Sequence, residues 1–280
     1  MNILMLFLVS YPFNYIYPGS GVRANSIGTF YTFKGPSSNW WNPSVPPEEK
    51  FSVSGEWNNL LGLFSLIDGC ISASIGNIGI TAGYSVFNSG SMPINPEIED
   101  SSTLPESLGT FSETEKAYLL SLNHPAGPIH IGIGFKFYQQ DMLGARGIGY
   151  GFDMGILYRK NRVSIGCVIK DAGGTSISWN GRVVDVIPAA YIAAISYRFV
   201  RENWDLKMES SLLYQHEIHY AIGGELTFYF ISLRLGWSSL KGIGSGVGVS
   251  FRGFYLNYGV NPTGFGYTHR LGIIYSKGGA

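Results

Sequence analysis

The sequence has 280 residues with 19 basic and 19 acidic side chains, so its net charge at neutral pH is zero. Charged residues make up 14% of the chain, against roughly 25% in an average soluble domain. Aromatic residues make up 15%, and 38 residues are glycine. So little charge is unusual for a soluble surface, and without a block of basic residues nucleic-acid binding has no support.

The apolar run at the N-terminus, residues 3–9, is far shorter than the roughly 20 residues that a membrane-spanning helix needs. A helical membrane protein is therefore excluded. The run has the length of a signal-peptide core, but no Lys or Arg precedes it and no A-x-A cleavage pattern follows. We predict that residues 1–20 are a signal-peptide remnant, with a true N-terminal strand as the alternative.

Alternation of apolar with small or polar residues predicts β-strands through most of the chain. Between Ile148 and Ile156 every second residue is apolar, and the intervening residues are three glycines and Asp153. Segments 129–138 and 218–230 alternate in the same way. Several such segments reach the roughly 9–11 residues that cross a bilayer at a tilt, whereas soluble strands average about 5–6. A soluble all-β sandwich or propeller would also alternate and stays an alternative.

We predict an all-β fold, a transmembrane antiparallel β-barrel of about 14 strands with an N-terminal plug segment. The barrel would span residues 49–276, preceded by a plug or periplasmic segment at 21–48 and followed by a tail at 277–280. The predicted strands are 50–56, 63–73, 77–87, 116–122, 129–139, 148–158, 163–170, 189–199, 205–214, 218–230, 231–238, 245–251, 253–260 and 267–276.

The connections between these strands alternate in length, as do the long external loops and short periplasmic turns of outer-membrane barrels. Long connections follow the third, fifth and seventh strands, at 88–115, 140–147 and 171–188. Connections after even-numbered strands are tight, as at 159–162 and 200–204. The pattern predicts that both barrel ends are periplasmic and that the protein lies in the outer membrane of a diderm bacterium.

Aromatic residues near the predicted strand ends are candidates for the girdles that line both membrane interfaces. Ordinary core or surface aromatics would show the same spacing, so that interpretation stays open. The candidates are Trp40, Trp41, Trp57, Trp237, Tyr158, Tyr197 and Tyr275.

If the apolar faces contact lipid, charged residues of the opposite faces must lie inside the barrel. An Arg or Lys on the lipid face costs about 2–4 kcal/mol at the midplane. Two interpretations stay open: a salt-bridged network that holds and occludes the interior, or a polar path for a solute gated by segment 25–47. The predicted lumen-facing residues are Lys136, Asp153, Lys170, Arg198, Lys207, Glu209, Glu225, Arg234 and Arg270.

Patterns typical of catalysis or metal binding are missing from the sequence. His216 and His219 form the only close histidine pair, and we expect them on opposite faces of a strand. The glycine-rich stretch 242–248 lacks the lysine and the strand-to-helix context of a phosphate-binding loop, and it is predicted to be a turn and a barrel strand. Cys70 and Cys167 are predicted to be two small apolar strand residues. We therefore predict no enzymatic activity, no metal and no cofactor.

Several short motifs, in matching order along the chain, resemble the PorV/PorQ family of outer-membrane barrels. Residues 149–158 and 163–173 resemble its D-x-G strand and the G-x-x-I/L-K-N/D-x-G strand that follows. Asn42-Pro-Ser resembles the NPA turn that the family shares with FadL-type hydrophobe transporters. The other matching stretches are Gly223-Gly-Glu225, Leu233-Arg-Leu-Gly236 and the final strand Tyr267-Thr-His-Arg-Leu-Gly272.

The resemblance implies a barrel related to FadL-type channels, with some members serving type IX protein secretion. It implies outer-membrane lipid as a partner, together with a hydrophobic small molecule or a secreted cargo protein. The chain is shorter than a cargo-shuttling member is expected to be, and its external loops are trimmed. A structural barrel with an occluded lumen and a soluble all-β binding domain stay alternatives.

Overall fold

The computed structural model describes residues 20–29, 35–93, 109–263 and 266–277. These residues contain an α-helix, α1 (Val22–Ser26), and a 3-10 helix (Pro36–Trp40). The strands are β1 (Phe51–Leu60), β2 (Phe64–Ile75), β3 (Ile78–Asn88), β4 (Met92–Pro93), β5 (Thr110–Phe111), β6 (Glu113–Ala126), β7 (Ile129–Met142), β8 (Ala145–Lys160), β9 (Val163–Lys170), β10 (Thr175–Trp179), β11 (Arg182–Ile187), β12 (Ala190–Val200), β13 (Trp204–Tyr214), β14 (Ile218–Phe228), β15 (Ile231–Ser238), β16 (Gly242–Phe251), β17 (Phe254–Thr263) and β18 (Gly266–Lys277).

Fourteen of these strands form one closed antiparallel barrel. Each barrel strand pairs with the next along the chain, and the ring closes where β1 pairs with β18, Phe51 lying opposite Lys277. β10 and β11 form a hairpin that pairs through β10 with the start of β8, and β4 pairs with β5 in the connection before β6. The predicted fold class is confirmed: each predicted strand segment corresponds to one barrel strand, and a soluble sandwich or propeller is wrong.

The two ends of the barrel differ in their connections. We call the end that holds Phe51 and Lys277 the terminal end, and the opposite end the loop end. Terminal-end connections are tight, as predicted: two residues join β8 to β9, and three join β12 to β13. The loop end carries the connection from β3 to β6 and the β10–β11 hairpin. Most of the former, residues 94–108, lies outside the described part of the chain.

The predicted long loop at 140–147 is wrong. β7 and β8 continue through polar residues to Met142 and Ala145, and only Leu143 and Gly144 lie between them. Both turn residues have positive φ, 51° and 78°, as a two-residue type I′ hairpin turn requires. Polar strand residues beyond the apolar band therefore resembled a loop in the sequence.

The outer surface of the barrel is apolar and the inner surface is small or polar. Ile148, Tyr150, Phe152, Met154 and Ile156 of β8 are all exposed, and the alternate residues face inward. Closed antiparallel barrels with such an outer band are proteins of outer membranes, and this chain is one of them. Within residues 20–29, 35–93, 109–263 and 266–277, no helix has the length and apolarity needed to span a bilayer.

The predicted girdle residues divide between the outer surface and the lumen. Trp57, Trp237 and Tyr197 are exposed on the outer surface, 45%, 40% and 39% accessible. Trp40 and Trp41 are each 1% accessible and pack inside the barrel, so placing them at a membrane interface is wrong. They precede β1 and form or follow the 3-10 helix, which removes them from the alternating pattern of the wall.

A cationic side chain placed on the outer wall tests the membrane assignment. Ile133 lies in the middle of β7 and is 57% exposed. Ile133→Arg should lower the free energy of unfolding by about 2–4 kcal/mol, because the guanidinium would enter hydrocarbon. The measurement is denaturant unfolding in lipid vesicles. Asn203→Arg, in the terminal-end turn after β12, should change the free energy little, and equal losses in both variants would argue against a lipid-facing wall.

Candidate functional site

The lumen of the barrel holds residues 20–29 and 35–47, which we call the N-terminal segment. Val22, Ala24 and Asn25 in α1, and Trp40 and Trp41 after it, are at most 1% exposed. Their contacts are with inward-facing groups of the wall, from β1 and β2 on one side to β14–β18 on another. The predicted signal remnant at 1–20 lies almost wholly outside the described residues, as do residues 278–280.

Inward-facing glycines let the backbone of the segment approach the wall. The carbonyl oxygen of Ile27 would lie 2.0 Å from a Cβ at Gly223 and 1.8 Å from one at Gly236. A Cβ at Gly244 would lie 2.4 Å from the carbonyl oxygen of Asn25. Any larger residue at these positions would displace the segment. These strand glycines therefore leave the space on the inner wall into which the backbone of the segment packs.

An ion-pair cluster ties α1 to β13, β14 and β15. Arg23 donates from Nε to Glu225 Oε2 at 2.8 Å, and its Nη2 lies 3.5 Å from Glu209 Oε1. Arg234 of β15 donates to the same Glu225 carboxylate, and Lys207 lies 2.7 Å from Glu209. Burial disfavours the charged form of Arg23, but the nearby Glu225 and Glu209 carboxylates outweigh it and raise the pKa of Arg23.

A second cluster holds the start of α1 against β1 and β2. Glu56 accepts hydrogen bonds from the backbone N–H groups of Gly21 and Val22, at 2.9 and 2.8 Å. Asp68 accepts from Ser20 Oγ at 3.3 Å. Arg270 of β18 supplies the positive charge that interacts with both carboxylates. Glu56 therefore binds the backbone of the N-terminal segment and Asp68 binds one of its side chains, in addition to their shared counter-ion Arg270.

The indole ring of Trp41 lies close to two lysines at the loop end. Lys170 Nζ is 5.3 Å and Lys241 Nζ 5.0 Å from the centre of the indole ring, within the range of cation–π attraction. Lys241, in the turn after β15, also donates to Asn25 Oδ1 at 3.0 Å. Burial, together with Arg270 and Lys170, lowers the pKa of Lys241 well below its ordinary value.

A third cluster holds the loop-end hairpin over the lumen. Lys136 Nζ lies 2.7 Å from Asp153 and 3.1 Å from Asp171, the residue that follows β9. Asp171 also accepts from Tyr138 Oη at 2.8 Å and from Thr175 Oγ1 at 3.0 Å. This network fixes the chain where it leaves the wall to form β10 and β11.

The predicted lumen residues thus fall into separate groups. Glu209, Glu225, Arg234 and Lys207 belong to the α1 cluster, Lys136 and Asp153 to the hairpin cluster, Lys170 to Trp41 and Arg270 to Glu56. Arg198 has an inward position on β12 but is exposed at the terminal-end rim, 2.6 Å from Asp205.

Sequence reasoning missed Arg23, Glu56, Asp68 and Asp171. The signal for Glu56 and Asp68 was present, because both continue the inward-facing alternation of β1 and β2. The hairpin was also readable, since Asn180-Gly181 after an apolar strand is a strong type I′ turn signal. Arg23 and Asp171 lie outside the barrel strands, so strand periodicity could not identify them.

The lining of the lumen differs between its two ends. Toward the loop end, beside the hairpin cluster, the buried side chains Leu66, Phe87, Leu119, Ile192 and Leu213 pack in one cluster with Trp40 and Trp41. Ile177 and Ile187 of the hairpin belong to the same cluster, and we call this packed apolar region of the lumen the apolar compartment.

At the terminal end lies a polar cavity of about 300 Å³. Its lining includes Arg23, Glu56 and Glu225, together with the hydroxyl groups of wall serines. The N-terminal segment contributes Arg23 and Pro36 to the lining of this cavity and Trp40 and Trp41 to the apolar compartment, so it contacts both.

Neither a metal-binding group nor a disulfide is found among the described residues of these clusters. Within the described residues, no group of three or more His, Cys, Asp or Glu side chains is arranged to hold a metal ion. Cys70 is buried and Cys167 is exposed on the outer wall, and both are free thiols. The stretch 242–248 forms β16, as predicted.

Solved structures of similar fold are outer-membrane barrels. The Ralstonia pickettii toluene transporter TbuX matches with a TM-score of 0.61 at 10% identity, over 92% of this chain and 97% of that one. The P. putida toluene transporter TodX gives 0.63 at 9% identity, over 94% and 100%. A Pseudomonas aeruginosa FadL homologue gives 0.51 at 10%, over 91% and 97%. No protein-family model and no curated protein matches the chain.

These similarities show that the chain shares the fold of FadL-like barrels, as the resemblance implied. Kinship with the PorV/PorQ family in particular stays a prediction.

Gly236 provides a test of the close packing between segment and wall. Gly236→Ala would place a methyl group against the carbonyl of Ile27, so the N-terminal segment must move. Trypsin should then cut after Arg23 in the folded barrel several times faster than in the wild type. Gly55→Ala is the control, because no atom lies within 4 Å of its added methyl. Unchanged protection of Arg23 in Gly236→Ala would contradict the packing.

Lys136 provides a test of the hairpin cluster. Lys136→Met removes the cation that contacts Asp153 and Asp171, leaving Lys170 as the other nearby cation, and should cost about 3–5 kcal/mol of unfolding free energy. Lys116→Met removes a half-exposed lysine 3.8 Å from Asp141, which should cost under about 1 kcal/mol. Denaturant titration in detergent measures both. Equal effects would mean that the buried cluster contributes no more than a surface pair.

Proposed function

We propose that the barrel passes small hydrophobic solutes across the outer membrane, with the N-terminal segment as its gate. The single observation that carries this proposal is the apolar compartment toward the loop end. Lumens of porins are polar and water-filled, whereas here Leu66, Phe87, Leu119, Ile192 and Leu213 face inward and are buried. An apolar solute gains free energy by leaving water for such a surface.

The N-terminal segment is suited to gating because ion pairs and hydrogen bonds, rather than covalent cross-links to the wall, hold it in the lumen. Its ties are the Arg23–Glu225 pair, the Glu56 acceptor and the contacts of the Trp41 ring with two lysines. Surface ion pairs contribute little, but buried ones are costly to break. The segment therefore rests in one position and moves only when several contacts are lost together.

The fold is consistent with this role. Two of the proteins that share it are toluene transporters, so a barrel of this shape accommodates passage of a monoaromatic hydrocarbon in those cases. An accessory role in type IX secretion has less support. Cargo docking would need large ordered loops, and the described loop-end connections other than the hairpin and residues near β4 and β5 are turns of two or three residues.

The test compares two neighbouring leucines of β6. Leu119 faces the apolar compartment and is 3% exposed, whereas Leu120 is 51% exposed on the outer wall. Leu119→Asn should slow uptake of radiolabelled toluene by cells that express the barrel, because a polar group interrupts the apolar path. Leu120→Asn changes the same side chain outside the lumen and should leave uptake unchanged. Heat-modifiable gel mobility confirms that both variants fold.

Three results would overturn the proposal: toluene uptake by cells that express the wild-type barrel is no faster than by cells without it, the two leucine variants behave alike, or a small sugar is taken up as readily as toluene. In the gated barrel, Gly236→Ala should also increase ion conductance in planar bilayers, since it displaces the segment.

A further inference from the structure

A pocket of about 640 Å³ opens on the outer wall at the terminal end of β8, β9 and β12. Tyr158 and Lys160 project from β8 and Tyr197 from β12, and the smaller Val163 of β9 lies between them. Arg162, in the turn from β8 to β9, completes the rim. The pocket therefore combines two aromatic side chains with two basic ones where the apolar wall ends.

The charge of this corner is positive. Lys160 and Arg162 are exposed, and neither makes an ion pair with a residue in the described part of the chain. Arg198 and Asp205 pair with each other and line the lumen cavity, and Arg159 has an inward position on β8. Among the described residues, Lys160 and Arg162 are the charged side chains that line the outer pocket. An anion bound in the pocket would thus meet more cationic than anionic side chains.

An apolar trough of about 600 Å³ continues along the same strands toward the loop end. Its floor is formed by Cys167 and Ala193, which pair directly across β9 and β12. The larger Ile156 and Leu212 lie on either side. Cys167 lies four positions beyond Val163, about 13 Å along a strand, with Ile165 on the outer face between them, so a headgroup in the pocket can place an acyl chain across Ile165 into the trough.

We propose that this wall binds one anionic phospholipid, with its phosphate at Lys160 and Arg162 and an acyl chain over Cys167 and Ala193. Basic side chains attract anionic headgroups within a Debye length, and Tyr158 and Tyr197 lie at the depth where aromatic rings favour the interface. Hydrocarbon surrounds the trough, because the neighbouring outward residues of the wall are apolar. The site lies outside the lumen and is independent of solute passage.

The test measures lipid preference by native mass spectrometry of the detergent-solubilised barrel, incubated with equal amounts of phosphatidylglycerol and phosphatidylcholine. The wild type should retain phosphatidylglycerol preferentially. The double variant Lys160→Gln/Arg162→Gln should lose about tenfold of that preference. Arg252→Gln/Lys277→Gln removes two exposed basic residues from the same rim on another side of the barrel and should keep it.

Ala193→Leu tests the trough separately. Filling the floor should reduce retention of both lipids several-fold while the preference for phosphatidylglycerol persists. The proposal is overturned if the Lys160→Gln/Arg162→Gln barrel keeps the wild-type preference, or if the control pair loses it equally. Retention by Ala193→Leu at the wild-type level would show that the acyl chain does not lie in the trough. Heat-modifiable mobility verifies folding of every variant.

Discussion

The pairing of β1 with β18 closes the ring, and this closure determines what the rest of the chain must do. Hydrocarbon offers no hydrogen-bond partners, so a sheet with free edges cannot stand in a membrane. Once the ring is closed, each strand has one face in lipid and one in the lumen. Apolar side chains then occupy the outer face, and polar groups are confined to an interior that the chain itself must satisfy.

The interior satisfies its charges in local groups rather than in one continuous network. Arg23 shares Glu225 with Arg234, Lys136 lies between Asp153 and Asp171, and Glu56 binds backbone N–H groups. Removing one partner from such a group leaves a buried charge, which is far more costly than losing a surface pair. Since two of these groups include the N-terminal segment, the charges that stabilise the wall also position the segment.

The wall was predictable from the sequence because strand alternation is a local signal. Ile148 to Ile156 and the glycines between them define two faces without any knowledge of their neighbours. Trp40, Trp41 and Arg23 lie before the first strand, where no period applies, and only the folded lumen determines their positions. The prediction of a long loop around Leu143-Gly144 failed for a different reason. Polar residues extend β7 and β8 beyond the apolar band, so composition suggested a loop although the strand hydrogen bonding continues.

The predicted lumen residues differ in how far they lie from the rim of the barrel. Lys136, Glu225 and Arg270 are buried because they lie well within their strands, whereas Arg198 lies near the rim and reaches water beside Asp205. Periodicity gives the face of a residue but not its depth. Which charges pair also depends on neighbours that are distant in sequence, as 202 residues separate Arg23 from Glu225.

Small residues have different consequences on the inner and outer faces of the wall. Inside, Gly223 and Gly236 admit the backbone of Ile27, and a single methyl group at either would collide with it. Outside, Cys167 and Ala193 leave a trough between Ile156 and Leu212. The inner gap is filled by the chain itself and so is intolerant of substitution. The outer gap faces fluid lipid, so a larger residue at Ala193 should weaken lipid retention there without disturbing the barrel.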